Sequence, residues 1–501
     1  MFPWQSIIEI DRGCSVPVYL QVSNTIAKEI QAGRLPAKTR LPSTRSMAET
    51  LQLHRKTVTA AYDELYSQGW VDIKPNKGTF VTDLTRIFES QKLDNLITRP
   101  HEEANFQYNQ FEKLSEPFYQ KQKTLEITDG LPDERLAPID ELAATYRSII
   151  KTRVYRSLLG ISDVQGDLKL REVLARYLGE TRGLNCDADN ILITRGGQMS
   201  MFLIANILLQ KGDNLVVSQR NFYLANQAFE YNGANLIEVS SDNEGISVQE
   251  VEEICKRTPI KGIFITPHHH HPTTVTCSLE RRLHLLELAR KYNFAIIEDD
   301  YDYDFHYESG PILPLASSDC KGNVIYFGSF SKILSSLIRI GYLVAPKEVI
   351  VELKKVKRLF DYPGDSVMER TLAELIRDGV IQRYLKKALK EYGQRRDLFC
   401  HILERDFNDV FSFQKPSGGM AIWAKVLPPY QLNEIADAAL KKRLYIVRGD
   451  KYSLPGVPPN HLRLGFAGLN EKEIVTALGL LKEAARMSIS QTQTIIPEFS
   501  V

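Results

Sequence analysis

Ser329-Phe330-Ser331-Lys332, with Arg339 seven residues further on, decides how the larger part of this chain is read. Lys332 follows a predicted strand, Val324 to Phe327, and supplies an amine that can form an imine. Ser329, Ser331 and Arg339 supply hydroxyls and a guanidinium for a phosphate. Together they point to pyridoxal 5'-phosphate (PLP), which also needs an acid beside its pyridine nitrogen and a flat group against its ring. Asp299, at the end of the apolar run Phe294 to Ile297, is placed to be that acid, and Tyr301 to bond the ring hydroxyl. Asp300 fits a helix cap or a turn carboxylate. Thr194-Arg195-Gly196-Gly197-Gln198 joins a strand to a helix, where Gly197 and Gln198 let backbone N–H groups approach a phosphate. Phe222 is a candidate for the stacking ring, with a plain core aromatic as the competing reading.

Around these residues run short apolar stretches: 191–194, 215–217, 236–239, 263–265, 294–297, 324–327 and 342–344. Near-continuous β-rich runs separated by helical stretches predict an α/β fold with a mostly parallel sheet and helices on both faces. Ligands of such sheets sit at the carboxyl ends of the strands. The polar signals above fall there.

The first eighty residues read differently. Tyr19, Val22, Ile26 and Ile30 recur at helical spacing and stop at Gly33. Ser43 or Thr44 caps a second helix with Met47, Ala48 and Leu51 inside. A third helix, Arg55 to Gln68, turns Val58, Ala61, Tyr62 and Leu65 inward. Strand-like segments around Pro75-Asn76-Lys77-Gly78 predict a hairpin. Three helices and a hairpin make a winged helix-turn-helix. Between Arg34 and Lys56 there are six basic residues and one acid. Arg55, Lys56 and Thr57 open the third helix, the end that reaches base edges in such modules. Lys77, at the hairpin tip beside Gly78, is placed for phosphate or minor groove. A merely solvated basic face is the plain alternative.

The chain has 501 residues and a net charge of +1, too long for one core and not globally basic. Any DNA affinity must be local. The six cysteines (14, 186, 255, 277, 320, 400) are scattered, which fits a reducing compartment. With no secretory signal or membrane span in the pattern, a cytoplasmic protein is expected. The expected division is a DNA-binding domain over 1–83, a linker over 84–123, a PLP domain over 124–490 and a tail over 491–501. A smaller α+β subdomain is expected from about 380. Within the linker, Leu84 to Leu93 suggests a short helix.

Leu41-Pro42-Ser43-Thr44-Arg45, Arg55-Lys56-Thr57-Val58, Gly69-Trp70-Val71 and Lys77-Gly78-Thr79 resemble the head of GntR-type regulators. That resemblance implies operator contacts from Arg45, Arg55, Lys56 and Thr57. Gly130-Leu131-Pro132-Asp133, Gly166-Asp167, Arg182-Gly183, Thr194 to Gln198, Glu298 to Asp302, Ser329 to Lys332 with Arg339-Ile340-Gly341-Tyr342, and Leu462 to Phe466 resemble fold-type I aminotransferases. Head and body together resemble MocR/GabR-type regulators along almost the whole chain. The resemblance implies Lys332 as the Schiff-base lysine, Asp299 as the pyridine partner, and Arg463 as the arginine for a ligand α-carboxylate. It also implies a homodimer, in head-to-tail arrangement, on a double-stranded DNA operator.

One segment departs from the pattern. His271-Pro272-Thr273-Thr274 stands where aminotransferases carry Asn-Pro-Thr-Gly, which puts His271 near the ring oxygen and makes efficient transamination doubtful. Four consecutive histidines, His268 to His271, cannot all ligate one metal ion, and no metal is expected. They are expected near the ring or facing solvent. Ser336 stands where these regulators often carry proline. The expectation is a regulator that senses a small amino acid or amine by exchange at Lys332. A working aminotransferase with a DNA-binding head is the alternative.

Overall fold

The computed structural model describes residues 2–83, 104, 106–111, 114, 124–152, 163–308, 310, 312–335, 338–362, 364–452 and 459–493. The expected helix from Leu84 to Leu93 and the Ser336 position lie outside them. The chain forms two units, Met1–Phe111 and Glu112–Val501.

The first unit contains helices α1 (Trp4–Ile7), α2 (Val18–Gln31), α3 (Thr44–Leu51) and α4 (Arg55–Ser67), then strands β1 (Val71–Lys74) and β2 (Gly78–Val81). Ser43 caps α3 by accepting from the Ser46 N–H, and Gln52 ends it in the left-handed conformation. His54 then caps α4, its Nδ1 accepting from the Lys56 N–H at 3.2 Å. Two helices joined by so short a turn are held by one core of Val22, Ile26, Met47, Val58, Ala61 and Leu65, all fully buried. Trp4 of α1 and Ile8 just after it close that core, α1 being too short for periodicity to reveal. The hairpin pairs Val71 with Val81 and Lys74 with Gly78. Asn76 and Gly78 take the positive φ angles of its tip.

In the second unit, β4 (Ile191–Thr194), β5 (Asn214–Ser218), β6 (Asn235–Val239), β9 (Gly262–Ile265), β10 (Ala295–Asp299), β11 (Val324–Ser329) and β12 (Gly341–Val344) form one sheet. β3 (Leu125–Ile127) precedes them in the chain, and a small hairpin, β7 (Ser241–Asp242) and β8 (Gly245–Ile246), lies between β6 and β9 in sequence. The sheet order is β4-β12-β11-β10-β9-β5-β6. All pairings are parallel except those of β12, which runs antiparallel to β11 and β4. Residues of β4, β9, β11 and β12 are buried throughout, as both faces are covered.

A smaller layer follows: helix Val380–Asp406, the antiparallel strands β13 (Phe411–Phe413), β14 (Ala421–Val426) and β16 (His461–Gly465), and helices Leu432–Lys441 and Glu471–Gln493. The last helix runs three residues into the expected tail. Strand β15 (Leu444–Ile446) pairs in parallel with β3. This pairing matters for the site, because it fixes the residues after β3 against β16: Gly465 N–H donates to Thr128 O at 2.7 Å. No helix among the described residues is long and apolar enough to cross a membrane.

Candidate functional site

A cavity of about 310 Å³ opens at the carboxyl ends of β4, β10 and β11. Lys332 reaches it from a turn anchored by Phe330 and Leu334, both fully buried. Leu334 N–H donates to Phe330 O at 2.8 Å, and Phe330 N–H to Ile340 O at 3.0 Å. The Lys332 amine, between these anchors, donates to Gly130 O at 2.9 Å. Burial pushes it below the ordinary lysine range, which enlarges the neutral, nucleophilic fraction.

Asp299, the last residue of β10, lines the same cavity. Burial, then the charges of Asp300 and Asp302, raise its carboxyl well above the usual carboxylate range. A protonated ring nitrogen beside it would reverse that, since an opposite charge favours the carboxylate. Gly197 and Gln198 lie at the start of helix Gly197–Leu208, after Gly196 at φ 99°. A Cβ on Gly196 would come within 3.2 Å of the Arg339 guanidinium, so only glycine lets that arginine lie against the helix start. Arg339 donates to Ser331 Oγ at 3.3 Å, and Ser329 Oγ accepts from the Ser331 N–H at 3.1 Å. Helix N-terminus, hydroxyls and guanidinium therefore converge on one end of the cavity, a fit for phosphate. Phe222 lines the wall, its ring edge-on to His271 with centroids 5.0 Å apart.

Tyr301 also lines the cavity, but its hydroxyl is already engaged. It donates to His269 O at 2.8 Å and accepts from Arg463 Nη2 at 3.0 Å. Arg463 is 1 % exposed and is not among the lining residues. The cavity is completed by Leu131, from the Gly130-Leu131-Pro132-Asp133 motif, and by residues the sequence did not single out: Asp129, Met201, Tyr223 and Leu224. Asp129 adjoins the Gly130-Leu131-Pro132 motif, which was the available signal. Burial alone would raise its carboxyl; the hydrogen bond of His271 and the charges of Lys332, His271 and Arg463 hold it below the usual range.

The four histidines do not face solvent. His268 Nδ1 lies 3.1 Å from Asp300 Oδ1 and His269 Nδ1 lies 3.0 Å from Asp302 Oδ1, all four side chains buried. Asp300 also accepts from Tyr326 OH, so it is part of a buried network and neither a cap nor a turn carboxylate. Only His271 reaches the cavity. Burial is the main cause that pulls His271 down to about 4, and His270 and His306 to about 3. Unfolded imidazoles take up protons near pH 6.5, whereas these stay neutral until about pH 4 or below. The unfolded chain therefore binds more protons below about pH 6.5, and stability present above that pH is lost as pH falls. Thermal unfolding between about pH 7.5 and 5.5 is expected to show a falling Tm, with a shallower fall in His306→Gln.

In the first unit Arg55 and Lys56 are exposed at the start of α4, with Thr57 half-buried behind them. Neither has an ion pair among the described residues. Arg45 is exposed and pairs with Glu49 at 3.4 Å. Lys77 sits exposed in the hairpin turn, and a Cβ on Gly78 would meet Arg40 at 3.0 Å.

Fold and cavity define a class: a fold-type I, aminotransferase-like domain that uses PLP, preceded by a winged helix-turn-helix. The family model "Aminotransferase class I and II" matches residues 135–481, and "Bacterial regulatory proteins, gntR family" matches residues 18–81. The chain belongs to the class I and II aminotransferase family, with a GntR-type head, in the MocR-type arrangement. An HTH-type transcriptional regulator of Bacillus subtilis, YdfD, is 29% identical over 94% of this chain and 97% of its own. The rhizopine catabolism regulatory protein MocR of Rhizobium meliloti is 25% identical over 95% of this chain and 96% of its own. Among solved structures, the α-aminoadipate aminotransferase LysN of Thermus thermophilus, complexed with N-(5'-phosphopyridoxyl)-L-leucine, superposes with a TM-score of 0.68. It is 25% identical and matches 74% of this chain and 93% of its own.

Proposed function

We propose that this protein is a PLP-dependent transcriptional regulator whose DNA affinity is set by a small amine or amino acid captured at Lys332. The observation that supports this best is the coexistence in one chain of two sets of groups suited to different ligands. Arg55 and Lys56 stand exposed at the start of a recognition helix, with no ion pair among the described residues, while Lys332, Asp299 and Arg339 line one cavity. When bound, PLP supplies an aldehyde carbon that primary amines capture reversibly. Ser329, Ser331 and Arg339 would hold its phosphate, Phe222 would lie against its ring, and Asp299 would be the acid beside its nitrogen. Lys332 would supply the amine at the cofactor's carbonyl end. A neutral His271 at the ring edge can accept or donate one hydrogen bond without adding charge. On this reading the protein acts as a homodimer on paired half-sites, in the cytoplasm.

A ligand that binds one DNA-affinity state better than the other must shift DNA binding, and DNA must shift ligand binding by the same factor. Fluorescence anisotropy of the PLP-loaded, full-length protein on DNA from upstream of its own gene is the test. A several-fold change in Kd on adding an amine that alters the cofactor spectrum is expected. Steady multiple turnovers of keto acid, with no DNA binding under any condition, would establish the aminotransferase reading instead.

A further inference from the structure

A second cavity, of about 550 Å³, lies between the layer of the large sheet and the smaller layer of the second unit. Arg220, from the turn after β5, and Thr273 and Thr274, after β9, line one wall. Ser412 of β13, Trp423 and Lys425 of β14 and His461 of β16 line the other. Three cations, Arg220, Lys415 and Lys425, border it against one carboxylate, Asp242. The charge of Asp242 is already met, since Arg281 grips it through two contacts of 2.7 Å. Lys415 pairs with Asp397 at 2.9 Å. That leaves Arg220 and Lys425, which have no ion pair among the described residues.

Arg220 is the unusual member. Its Nε is buried and has no hydrogen-bond partner among the described residues. Burial lowers its proton affinity, and no acid among the described residues raises it. A guanidinium stays charged regardless, and a charge removed from water is ordinarily paired. His461 reports the same excess of positive charge: burial first, then Arg220 and Lys425, pull its imidazole down to about 4. It is therefore neutral near pH 7, and its ring stacks on Trp423 with centroids 5.1 Å apart. The cavity thus offers a guanidinium and an ammonium, with the hydroxyls of Thr273, Thr274 and Ser412 in its walls. Such a set suits a group with two or more charged acceptor oxygens.

We propose that this cavity is a second ligand site, for a small dianion bearing carboxylate or phosphate oxygens, with Arg220 and Lys425 as its charged partners. It shares no lining residue with the Lys332 cavity among the described residues, and it does not rest on the sensing function argued above. A dianion held there joins the two layers, because Arg220 belongs to the large sheet's layer and Lys425 to the smaller one. It also lies close to Arg463 along the chain on both walls. Trp423 is the register partner of Arg463, and Thr273 follows Pro272, whose carbonyl accepts from Arg463 Nη1 at 2.9 Å.

The test titrates full-length, PLP-loaded protein with inorganic phosphate and, separately, with succinate, the ionic strength held constant with sodium chloride. Tryptophan fluorescence is the readout, since Trp423 is the only tryptophan outside the first unit. A saturable change is expected, with half-saturation at about millimolar concentration or below. A response to phosphate alone identifies a phosphate ligand, and one to succinate alone a dicarboxylate; either supports the site. Arg220→Gln is expected to raise the half-saturation concentration about tenfold or more, and Lys425→Gln several-fold, with the cofactor absorption retained in both. A wild type that gives no saturable change with either anion overturns the proposal. So does a response that survives intact in Arg220→Gln, because the anion then sits on the DNA-binding head or elsewhere. Should Arg220→Gln fail to fold, Lys425→Gln decides by the same criterion.

Discussion

Lys332→Ala abolishes the absorption band of the lysine-linked cofactor while leaving the protein folded. The amine is the only one that lines the cavity among the described residues, and its neighbours prepare it for that bond. Gly130 O holds it at 2.9 Å, and burial pushes its proton affinity below the ordinary lysine range. Alanine removes this nucleophile and nothing that the core depends on, because Phe330, Ile333 and Leu334 carry the packing of the turn. Absorption spectroscopy after reconstitution with PLP, alongside far-UV circular dichroism, reads both outcomes. A band that persists with unchanged intensity overturns the assignment of Lys332. Arg339→Ala, by contrast, leaves the amine in place and weakens the phosphate cradle. It is expected to retain the band but to need about tenfold or more PLP to reach it, the loss of one charge-assisted contact.

The large sheet was legible because strands covered on both faces are apolar at every position, and the seven runs read from the sequence are the seven strands found. The direction of β12 was not legible, since an apolar run carries no sign of its orientation. Strand β3 was missed for a different reason. It has three residues, and its partner β15 lies more than three hundred residues away in the chain. Asp129 went unnoticed as a consequence, because only that pairing brings the segment after β3 to the cavity. The histidine run shows the same limit. Its partners Asp300 and Asp302 stand 32 and 33 residues further along the chain, so that burial in pairs with them could not be read locally. Residues belonging to strand ends, such as Asp299 and Ser329, were found readily, since strand pattern and ligand chemistry pointed to the same positions.

Arg55→Ala weakens operator binding by about one to two orders of magnitude, without change in the cofactor spectrum. The residue opens α4 immediately after the His54 cap, so its backbone is fixed while its side chain stays exposed. It has no ion pair among the described residues to break before it meets a base edge or phosphate. Arg45 differs: its pair with Glu49, at 3.4 Å between two exposed side chains, is of the weak kind that phosphate displaces readily. Lys77, on a hairpin tip, is placed for phosphate contact. Lys77→Ala should therefore weaken binding evenly across DNA sequences and lower the salt dependence by about one counterion, whereas Arg55→Ala should also relax sequence preference. Anisotropy titrations of wild type and both variants on operator and scrambled DNA, at several salt concentrations, separate the two effects. Wild-type affinity and preference in Arg55→Ala would show that α4 does not read the operator. The winged head would then engage DNA through another face, while the reading of the Lys332 cavity would stand unaffected.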